Sequence, residues 1–457
     1  MRKGLAEIRS RKRKHGPSMK DRGTVQTSLS GIANKARTQP KYRFRNLYGM
    51  LEEVFLHDSW HRIRKRAACG VDGVSAGEYE RNLKENISEL VGSLKRKSYR
   101  AKLVRRKNIP KGQGRMRPLG IPAVSDKLLQ MAAARILQAI YEQDFMRCSY
   151  GYRLGVGARD AVSKLTVKLQ FGNYNHVVDV DIKGFFDNID HDWMIRMLEE
   201  RIDDKAFLRL IRKWLKAGIL EEDGRTVVRP GSGTPQGGIV SPVLANVYLH
   251  YAVDIWFHRV YLKQCRGEGC MIRYADDCVW AFEHKEEAER FYRSLIQRVK
   301  KFNLEISEEK SRLIEFRRND SGTSFDFLGF EYRWSRDREG RPHLKKRTSR
   351  KKVRQSVRDF KDWLKKNRSL RVRELFPKLN SKLRGYFNYY GVKCNYRSLY
   401  EFYNHVVLML RKWLSRRSQR GRISWERLQR MMDRFKMVKP FINEKSFRRK
   451  TVVVCSY

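Results

Sequence analysis

Hydrophobic spacing divides the chain into elements before any chemistry is considered. From Tyr42 to Cys69 the apolar positions Leu47, Met50, Leu51, Val54 and Phe55 recur at the three- and four-residue intervals of one helical face. A turn, GVDGVS (70–75), and a second helical stretch running through Leu94 follow. From Tyr99 to Pro122, YRAKLVRRKNIPKGQGRMRPLGIP alternates with the two-residue period of a strand and is interrupted by Gly and Pro, which predicts a basic hairpin. DKLLQMAAARILQAIYEQDFM (126–146) predicts an amphipathic helix beginning near Asp126.

In the centre, strand and helix patterns alternate. VVDVDI (177–182) is strand-like, and HDWMIRMLEERI (191–202) is helical with Asp190 as its N-cap. SPVLANVYLHYAVDIWF (241–257) predicts a helix capped by Ser241, with Pro242 at its first helical position. MIRYADDCVWAF (271–282) predicts two strands joined by a tight turn at Asp276 and Asp277, followed by a helix over Lys285 to Phe302. Beyond SFDFLGFEYRW (324–334) the pattern is helical, basic and rich in aromatic residues.

Charge changes the picture. The chain of 457 residues holds 100 Lys and Arg against 50 Asp and Glu, formal net charge +50. An excess of this size points to a polyanionic partner, nucleic acid first and an anionic membrane surface second. No apolar run reaches the roughly 18 residues of a membrane span, and neither a span nor a signal-peptide core is expected. Seven cysteines, an odd number in a long chain, fit a reducing compartment better than a disulfide framework. Residues 334–457 carry 37 Lys or Arg against 9 Asp or Glu, and residues 1–40 carry 11 against 2 with little periodicity. The latter read as a mobile basic arm or a plain disordered tail.

The acids stand out against this background. Asp179 and Asp181 share one strand face by the two-residue period, in an apolar setting. If that strand neighbours the one bearing Asp276 and Asp277, carboxylates converge in a low-dielectric cleft. Divalent cations satisfy such a cluster, and oxygen-only ligation suits Mg²⁺. Two ions would activate a 3′ hydroxyl and stabilise a leaving pyrophosphate. The alternative is a hairpin turn that does nothing else. Lys111, Arg115 and Arg117 on the Gly-rich hairpin 109–122 suit a triphosphate, and GTPQGGIVSP (233–242) suits close approach by a nucleotide. Each alone is an ordinary turn; the set in this order is not.

IPKGQGRMRPLGIP, DIKGFFDNIDH, GTPQGGIVSP, YADD, ISEEKSRLI and FDFLGF together resemble the reverse transcriptases encoded by group II introns. LNSKLRGYFNYYG followed by LYEFYNHVVLMLRKWLSRR resembles their maturase, or thumb, region. The resemblance covers roughly residues 42–435. It implies an α+β right-hand polymerase: fingers, a palm of antiparallel sheet with helices, and an α-helical thumb. The expected divisions are a basic arm (1–40), fingers and palm with an N-terminal extension (41–335), a helical thumb/maturase domain (336–435) and a tail (436–457). Only Cys455 follows Cys394, so the paired cysteines and histidines of the nuclease module found in many relatives are not expected.

Carried over residue by residue, the resemblance assigns Asp181, Asp276 and Asp277 as catalytic and metal-binding carboxylates, with two Mg²⁺ ions or Mn²⁺ in their place. Phe186 falls at the gate against a ribose 2′ hydroxyl, although Phe185 beside it or plain core packing are alternatives. Arg105, Lys111 and Arg117 fall over the triphosphate, Gln236 and Gly237 line the nucleotide pocket, and Lys310 approaches the triphosphate or stays on a helix surface. Residues 325–330 match a primer-gripping hairpin. Asp179, Asp187 and Asp190 are assigned to structure. In the C-terminal region most aromatics are expected in the core, which leaves Arg411, Lys412, Arg416, Arg417, Arg420 and Arg422 to contact RNA.

The implied function is an RNA-directed DNA polymerase and maturase that binds a group II intron RNA, assists its splicing and copies it into DNA. Its expected partners are intron RNA, an RNA template with a DNA primer, target DNA and dNTPs, without a membrane, in a bacterial cytoplasm and on the nucleoid when bound to DNA. Two other readings stand beside it: an intron-derived enzyme recruited to host repair or defence, and a non-catalytic RNA-binding splicing factor.

Overall fold

The computed structural model describes residues 19–112, 115–229, 231–234, 237–417 and 421–444. The N-terminal part contains α1 (Met19–Thr38), α2 (Glu53–Trp60), α3 (Ala76–Arg81), α4 (Leu83–Lys95), the hairpin β1 (Val104–Gly112) and β2 (Arg115–Ile121), and α5 (Val124–Tyr141). The centre contains α6 (Ala158–Phe171), β3 (His176–Val180), α7 (His191–Glu199), α8 (Lys205–Leu215), short strands β4 (Ile219–Leu220) and β5 (Val227–Val228), α9 (Ser241–Leu249), the hairpin β6 (Gly269–Tyr274) and β7 (Asp277–Phe282), and α10 (Lys285–Lys300). Then come β8 (Arg312–Glu315), β9 (Ser324–Phe327), β10 (Phe330–Arg336), β11 (Pro342–Thr348) and four helices: α11 (Arg350–Lys366), α12 (Val372–Tyr390), α13 (Tyr396–Ser415) and α14 (Trp425–Arg434). Among the described residues no helix is long and apolar enough to cross a membrane. The mixture is α+β, as expected.

The sheet that matters for function has the order β6-β7-β3-β8, all antiparallel. Its strands are apolar on both faces because both faces are covered. Val178, Val180, Met271, Cys278, Trp280 and Phe282 face a core shared with α9 and α10. Val177, Cys270, Ile272, Val279 and Ala281 face a second core shared with α6 and the β9–β11 sheet. A third core joins the four C-terminal helices through Phe376, Leu383, Phe387, Phe402 and Leu410.

One buried polar network crosses the first core. Arg273 on β6 is fully buried and forms a bidentate pair with Asp254, at 2.9 and 2.6 Å. It also donates to Asn246 Oδ1 at 2.9 Å and to the Ala275 carbonyl at 3.1 Å. Asp254 comes from a π-helical turn, His250–Asp254, that extends α9. Burying a guanidinium is tolerable only with this degree of satisfaction.

Four expectations are corrected. Residues 42–69 form no continuous helix: Phe44 bridges to Ile202, Asn46 turns left-handed, and a short 3₁₀ turn (Tyr48–Met50) precedes α2. Leu47, Leu51 and Phe55 still reach the core. The α5 helix starts at Val124 and is buried on nearly every side, rather than being amphipathic, because α1, α2 and α9 surround it. Its polar residues are consequently paired: Arg135 with Asp58 at 2.6 Å and Asp126 with the Tyr99 hydroxyl at 2.7 Å. Ser241 does not cap α9; its hydroxyl is buried 2.8 Å from that of Thr234, tying down the preceding loop. Within the arm, residues 19–38 are helical, Ala36 is buried, and Arg201 donates to the Ala36 carbonyl at 3.0 Å and to that of Tyr42 at 3.1 Å. Residues 1–18 lie outside the described residues. The Asp190 cap stands: its carboxylate accepts from the Asp192 and Trp193 amides. Part of the expected tail also packs, with Glu444 pairing buried Lys346 at 2.7 Å.

His250 makes the first core sensitive to acid. Its Nδ1 is buried without a hydrogen bond and lies 4.0 Å from Asp254. Burial pushes its pKa down to about 4, opposed by Asp254 and reinforced by Arg273, Arg259 and Arg153. The unfolded chain binds this proton below about 6.5 and the folded chain only below about 4. The contribution to stability is therefore complete above 6.5 and is lost as pH falls toward 4. Between pH 7 and pH 5 this group alone should cost about 2 kcal/mol. His250→Phe, which can keep the edge contact with Phe145, should flatten that part of the urea-midpoint profile. An unchanged slope would contradict the assignment.

Candidate active site

The site begins with strand register. Val180 pairs with Cys278 and Asp179 with Val279, so continuing the ladder by one residue sets Asp181 beside Asp277. Asp179, Asp181 and Asp277 thus lie on the same face, the one turned toward the β9–β10 hairpin. The β6–β7 connection is two residues long, Tyr274 pairing with Asp277, and Ala275 adopts φ +58°. Positive φ at the first turn residue matches the twist of a tight hairpin, and the Arg273 hydrogen bond to the Ala275 carbonyl holds it there. Gly151 presses against the same turn: a Cβ at that position would lie 2.2 Å from the Ala275 nitrogen.

Asp179, Asp181 and Asp277 open into a cavity of about 570 Å³. Its far wall is Asp326, Leu328 and Gly329 of the β9–β10 hairpin, with Lys351, Lys352, Tyr389 and Tyr390 from α11 and α12. Leu328 and Gly329 both have positive φ, at +49° and +80°, and are anchored by the Tyr389 hydroxyl donating to the Leu328 carbonyl at 3.0 Å. Lys310 Nζ sits 2.7 Å from Asp181 Oδ2. Asp276 is not part of this cavity lining; among the charges around the Tyr152 phenol it acts most strongly.

The electrostatics are unbalanced. Burial, followed by the charge of Asp277, raises the Asp179 carboxyl to about 7, and Asp181 and Asp326 add to the effect while Arg312 opposes it. Burial dominates that shift and the neighbouring carboxylates add to it. Among the described residues no group of three or more His, Cys, Asp or Glu converges closely enough to hold a metal ion. Of the expected set, Asp181 and Asp277 line the cleft and Asp276 lies in the adjoining two-residue turn, with Lys310 supplying the cation for Asp181.

The second wall is the loop before α9. Gly233 (φ +90°) packs where a Cβ would strike the Asp187 carbonyl at 2.7 Å, and Gly237 (φ +118°) where it would strike the Gly120 carbonyl at 2.4 Å. The loop is therefore held between hairpin β1–β2 and the turn at Phe185–Asp187. The Thr234 amide donates to the Phe186 carbonyl at 2.8 Å. Phe186 is buried, edge-on to Phe185 at 5.4 Å and to Tyr152 at 6.5 Å. In the hairpin, Arg105 faces Ile121 and Ile109 faces Arg117 across the ladder, so Arg105 and Arg117 share a face. Arg105 Nε is buried without a hydrogen bond. Arg117 lies within the electrostatic reach of Tyr152 and Asp187. Gln236 and Arg420 lie outside the described residues, as do the side chains of Lys111 and Arg115.

Comparison with known proteins fits this geometry. Residues 109–332 match the reverse transcriptase (RNA-dependent DNA polymerase) family, and residues 350–432 match the group II intron maturase-specific domain. The chain is 32% identical over 461 residues to the group II intron-encoded protein LtrA of Lactococcus lactis subsp. cremoris, covering 82% of this chain and 75% of that protein. The chain belongs to the group II intron-encoded reverse transcriptase family. It is an RNA-directed DNA polymerase. Protein YkfC of Escherichia coli K12 is 35% identical over 242 residues (51% of this chain, 62% of that one). Nuclear intron maturase 4 of Arabidopsis thaliana is 26% identical over 148 residues (32% and 18%).

Within the maturase-specific match, the residues expected to meet RNA divide into two kinds. Arg411 is committed to the fold: Nε donates to the Ile423 carbonyl at 3.1 Å and the guanidinium lies 4.4 Å from the Trp425 ring. Lys412, Arg416, Arg417 and Arg422 are exposed. Phe387 and Phe402 are core, with Tyr386 stacked on Phe402 at 3.8 Å, whereas Tyr396 and Tyr400 are exposed and stacked on each other.

Sequence reasoning placed Asp179 on the face of Asp181 but assigned it to structure, whereas the fold sets it in the cleft lining. Two further features were not anticipated. Asp254 and Asn246 hold the acid turn through Arg273, a link that only the fold reveals. Tyr389 and Tyr390 reach the cleft from the C-terminal helices. The Gly151 contact gives a direct check. Gly151→Ala should displace the turn and lower primer extension on an RNA template about 100-fold, the order expected for a misplacement near 1 Å. Gly155→Ala, at φ +74° with nothing within 4 Å of its Cβ, is the control for backbone strain alone. Equal effects from the two would refute the contact.

Proposed function

We propose that the chain binds a group II intron RNA, assists its splicing and copies it into DNA by a two-metal-ion nucleotidyl transfer. The observation that carries this reading is the side-by-side placement of Asp181 and Asp277 on adjacent strands, facing a cavity whose opposite wall is lysine and tyrosine. In this reading β6-β7-β3-β8 is the palm, the β1–β2 hairpin belongs to the fingers, and α11–α14 form the thumb. Residues 41–335 would then be fingers and palm, and 336–435 the thumb/maturase unit, flanked by segments 1–40 and 436–457.

The donor set fits Mg²⁺, with Mn²⁺ as a substitute. The ligands are hard carboxylate oxygens, and Asp181 and Asp277 face one another one step beyond the Val180–Cys278 pair. Asp181, Asp276 and Asp277 would hold the ions, and Lys310 would exchange Asp181 for the triphosphate. Bound there, the ions supply Lewis acidity toward the 3′ hydroxyl and the leaving pyrophosphate. The chain's own residues do the positioning. Arg105, Lys111 and Arg117 grip the triphosphate by charge-assisted contacts. Phe186 blocks a ribose 2′ hydroxyl, and Gln236 and Gly237 line the nucleotide pocket. The hairpin at 325–330 holds the primer end, close to Tyr389 and Tyr390. Lys412, Arg416, Arg417, Arg420 and Arg422 bind intron RNA through its phosphates. The partners are intron RNA, a primed RNA template, target DNA and dNTPs, in a bacterial cytoplasm.

The test separates catalysis from binding. Asp277→Asn should reduce Mg²⁺-dependent extension of a DNA primer on an RNA template by roughly a thousandfold, the scale of a lost metal-held charge. Its affinity for intron RNA should stay within about threefold, because phosphate contacts elsewhere carry binding. Extension at the wild-type rate would sink the two-metal reading.

A further inference from the structure

Tyr152 is a large aromatic residue placed where ordinary stability does not favour one. Its side chain is 44% exposed and its backbone is left-handed, φ +58°. That conformation is an outlier for a bulky residue, and persists only where its surroundings over-determine it. Here they do. The preceding Gly151 abuts the Tyr274–Ala275 peptide, and its carbonyl accepts from Asn246 Nδ2 at 2.7 Å. Asn246 Oδ1 in turn accepts from Arg273, which also holds the Ala275 carbonyl. The network that fixes the Asp276 turn therefore fixes Tyr152 as well.

The ring then occupies a defined place. Its neighbour on one side is Phe186, met edge-on at 6.5 Å and 81°. Its phenol lies within the fields of Asp276, Arg117, Tyr274 and Asp277. The half-exposed ring thus packs on the expected sugar gate and lies close enough to Asp276, Asp277 and Arg117 for their charges to act on it.

We propose that Tyr152 is a nucleotide-positioning residue, whose ring forms a second aromatic wall beside Phe186 against which the sugar and base of an incoming dNTP pack. This rests on the reading of the cleft as the polymerase site. The chemistry suits that role, because an aromatic face stacks on any of the four bases without reading their edges, as template-directed synthesis requires. The strained backbone is then retained for a ligand, since neither the core nor the solvent gains from it.

Single-nucleotide addition to a DNA primer on an RNA template tests this, using the full chain with Mg²⁺. Tyr152→Ala should raise KM for dNTP roughly tenfold with kcat within about threefold, as loss of a stacking partner predicts. Tyr152→Phe, which keeps the ring, should leave KM within about twofold. Tyr152→Asn adopts the left-handed conformation readily, so it should raise KM like the alanine variant without lowering the thermal midpoint. The proposal is overturned by unchanged KM in the alanine and asparagine variants, by a tyrosine-to-phenylalanine loss as large as that of alanine, or by KM rising only in step with a falling thermal midpoint. Wild-type protein run alongside keeps the two readings apart: no Mg²⁺-dependent extension there would mean the polymerase site itself is misassigned, whereas normal extension with unaltered variants rejects Tyr152 alone.

Discussion

Like charges on neighbouring strands are the constraint around which the rest is arranged. Asp181 and Asp277 occupy facing positions at the end of a sheet that is covered on both faces, with Asp179 one pleat behind them. Carboxylates opposed across a ladder destabilise a sheet, and partial burial makes the conflict worse. The fold nevertheless holds them in place with rigid parts. The strands beneath are anchored in two cores, and the turn between Tyr274 and Asp277 is pinned by a fully buried arginine. In the proposed function a cation bound between them relieves that conflict. Lys310 and the raised proton affinity of Asp179 already offset part of the same charge.

Positive charge is divided between two roles. The β1–β2 hairpin brings Arg105 and Arg117 to one face and packs against the loop before α9. Lys351 and Lys352 line the cleft from the start of the C-terminal helices. The exposed bases at the end of α13 and beyond it stand apart from the cleft, on a helical unit with its own core. The tyrosines of α12 join the two regions, since Tyr389 ties the β9–β10 turn to that unit. In the proposed function the cleft residues serve the chemistry and the exposed bases serve the RNA.

Much of this was legible in the sequence because it follows short-range rules. The turn read at Asp276 and Asp277, the strand read at 177–182, the Asp190 cap and the helix read over 285–302 follow local periodicity and turn chemistry, and the elements form within one or two residues of those bounds, the turn at Ala275 and Asp276. What was not legible depends on distant partners. The stretch 42–69 has helical spacing, yet the bridge from Phe44 to Ile202 and the left-handed Asn46 divert it. Ser241 has the composition of a cap, but its hydroxyl is claimed by Thr234. Arg411 was expected to contact RNA, and its guanidinium is engaged by the Ile423 carbonyl and the Trp425 ring. Asp179 was assigned to structure as a strand neighbour, yet the face it shares with Asp181 brings it into the cleft lining.

The central claim is that Asp181 and Asp277 form a divalent-cation site, and Mn²⁺ binding followed by electron paramagnetic resonance tests it without any reaction. The wild-type chain with a primed template and dNTP should sequester Mn²⁺, and Asp181→Asn or Asp277→Asn should weaken that uptake at least tenfold. Asp203→Asn, a surface acid paired with Arg45, should leave it unchanged. Identical Mn²⁺ titrations for the wild type and both cleft variants would contradict the account.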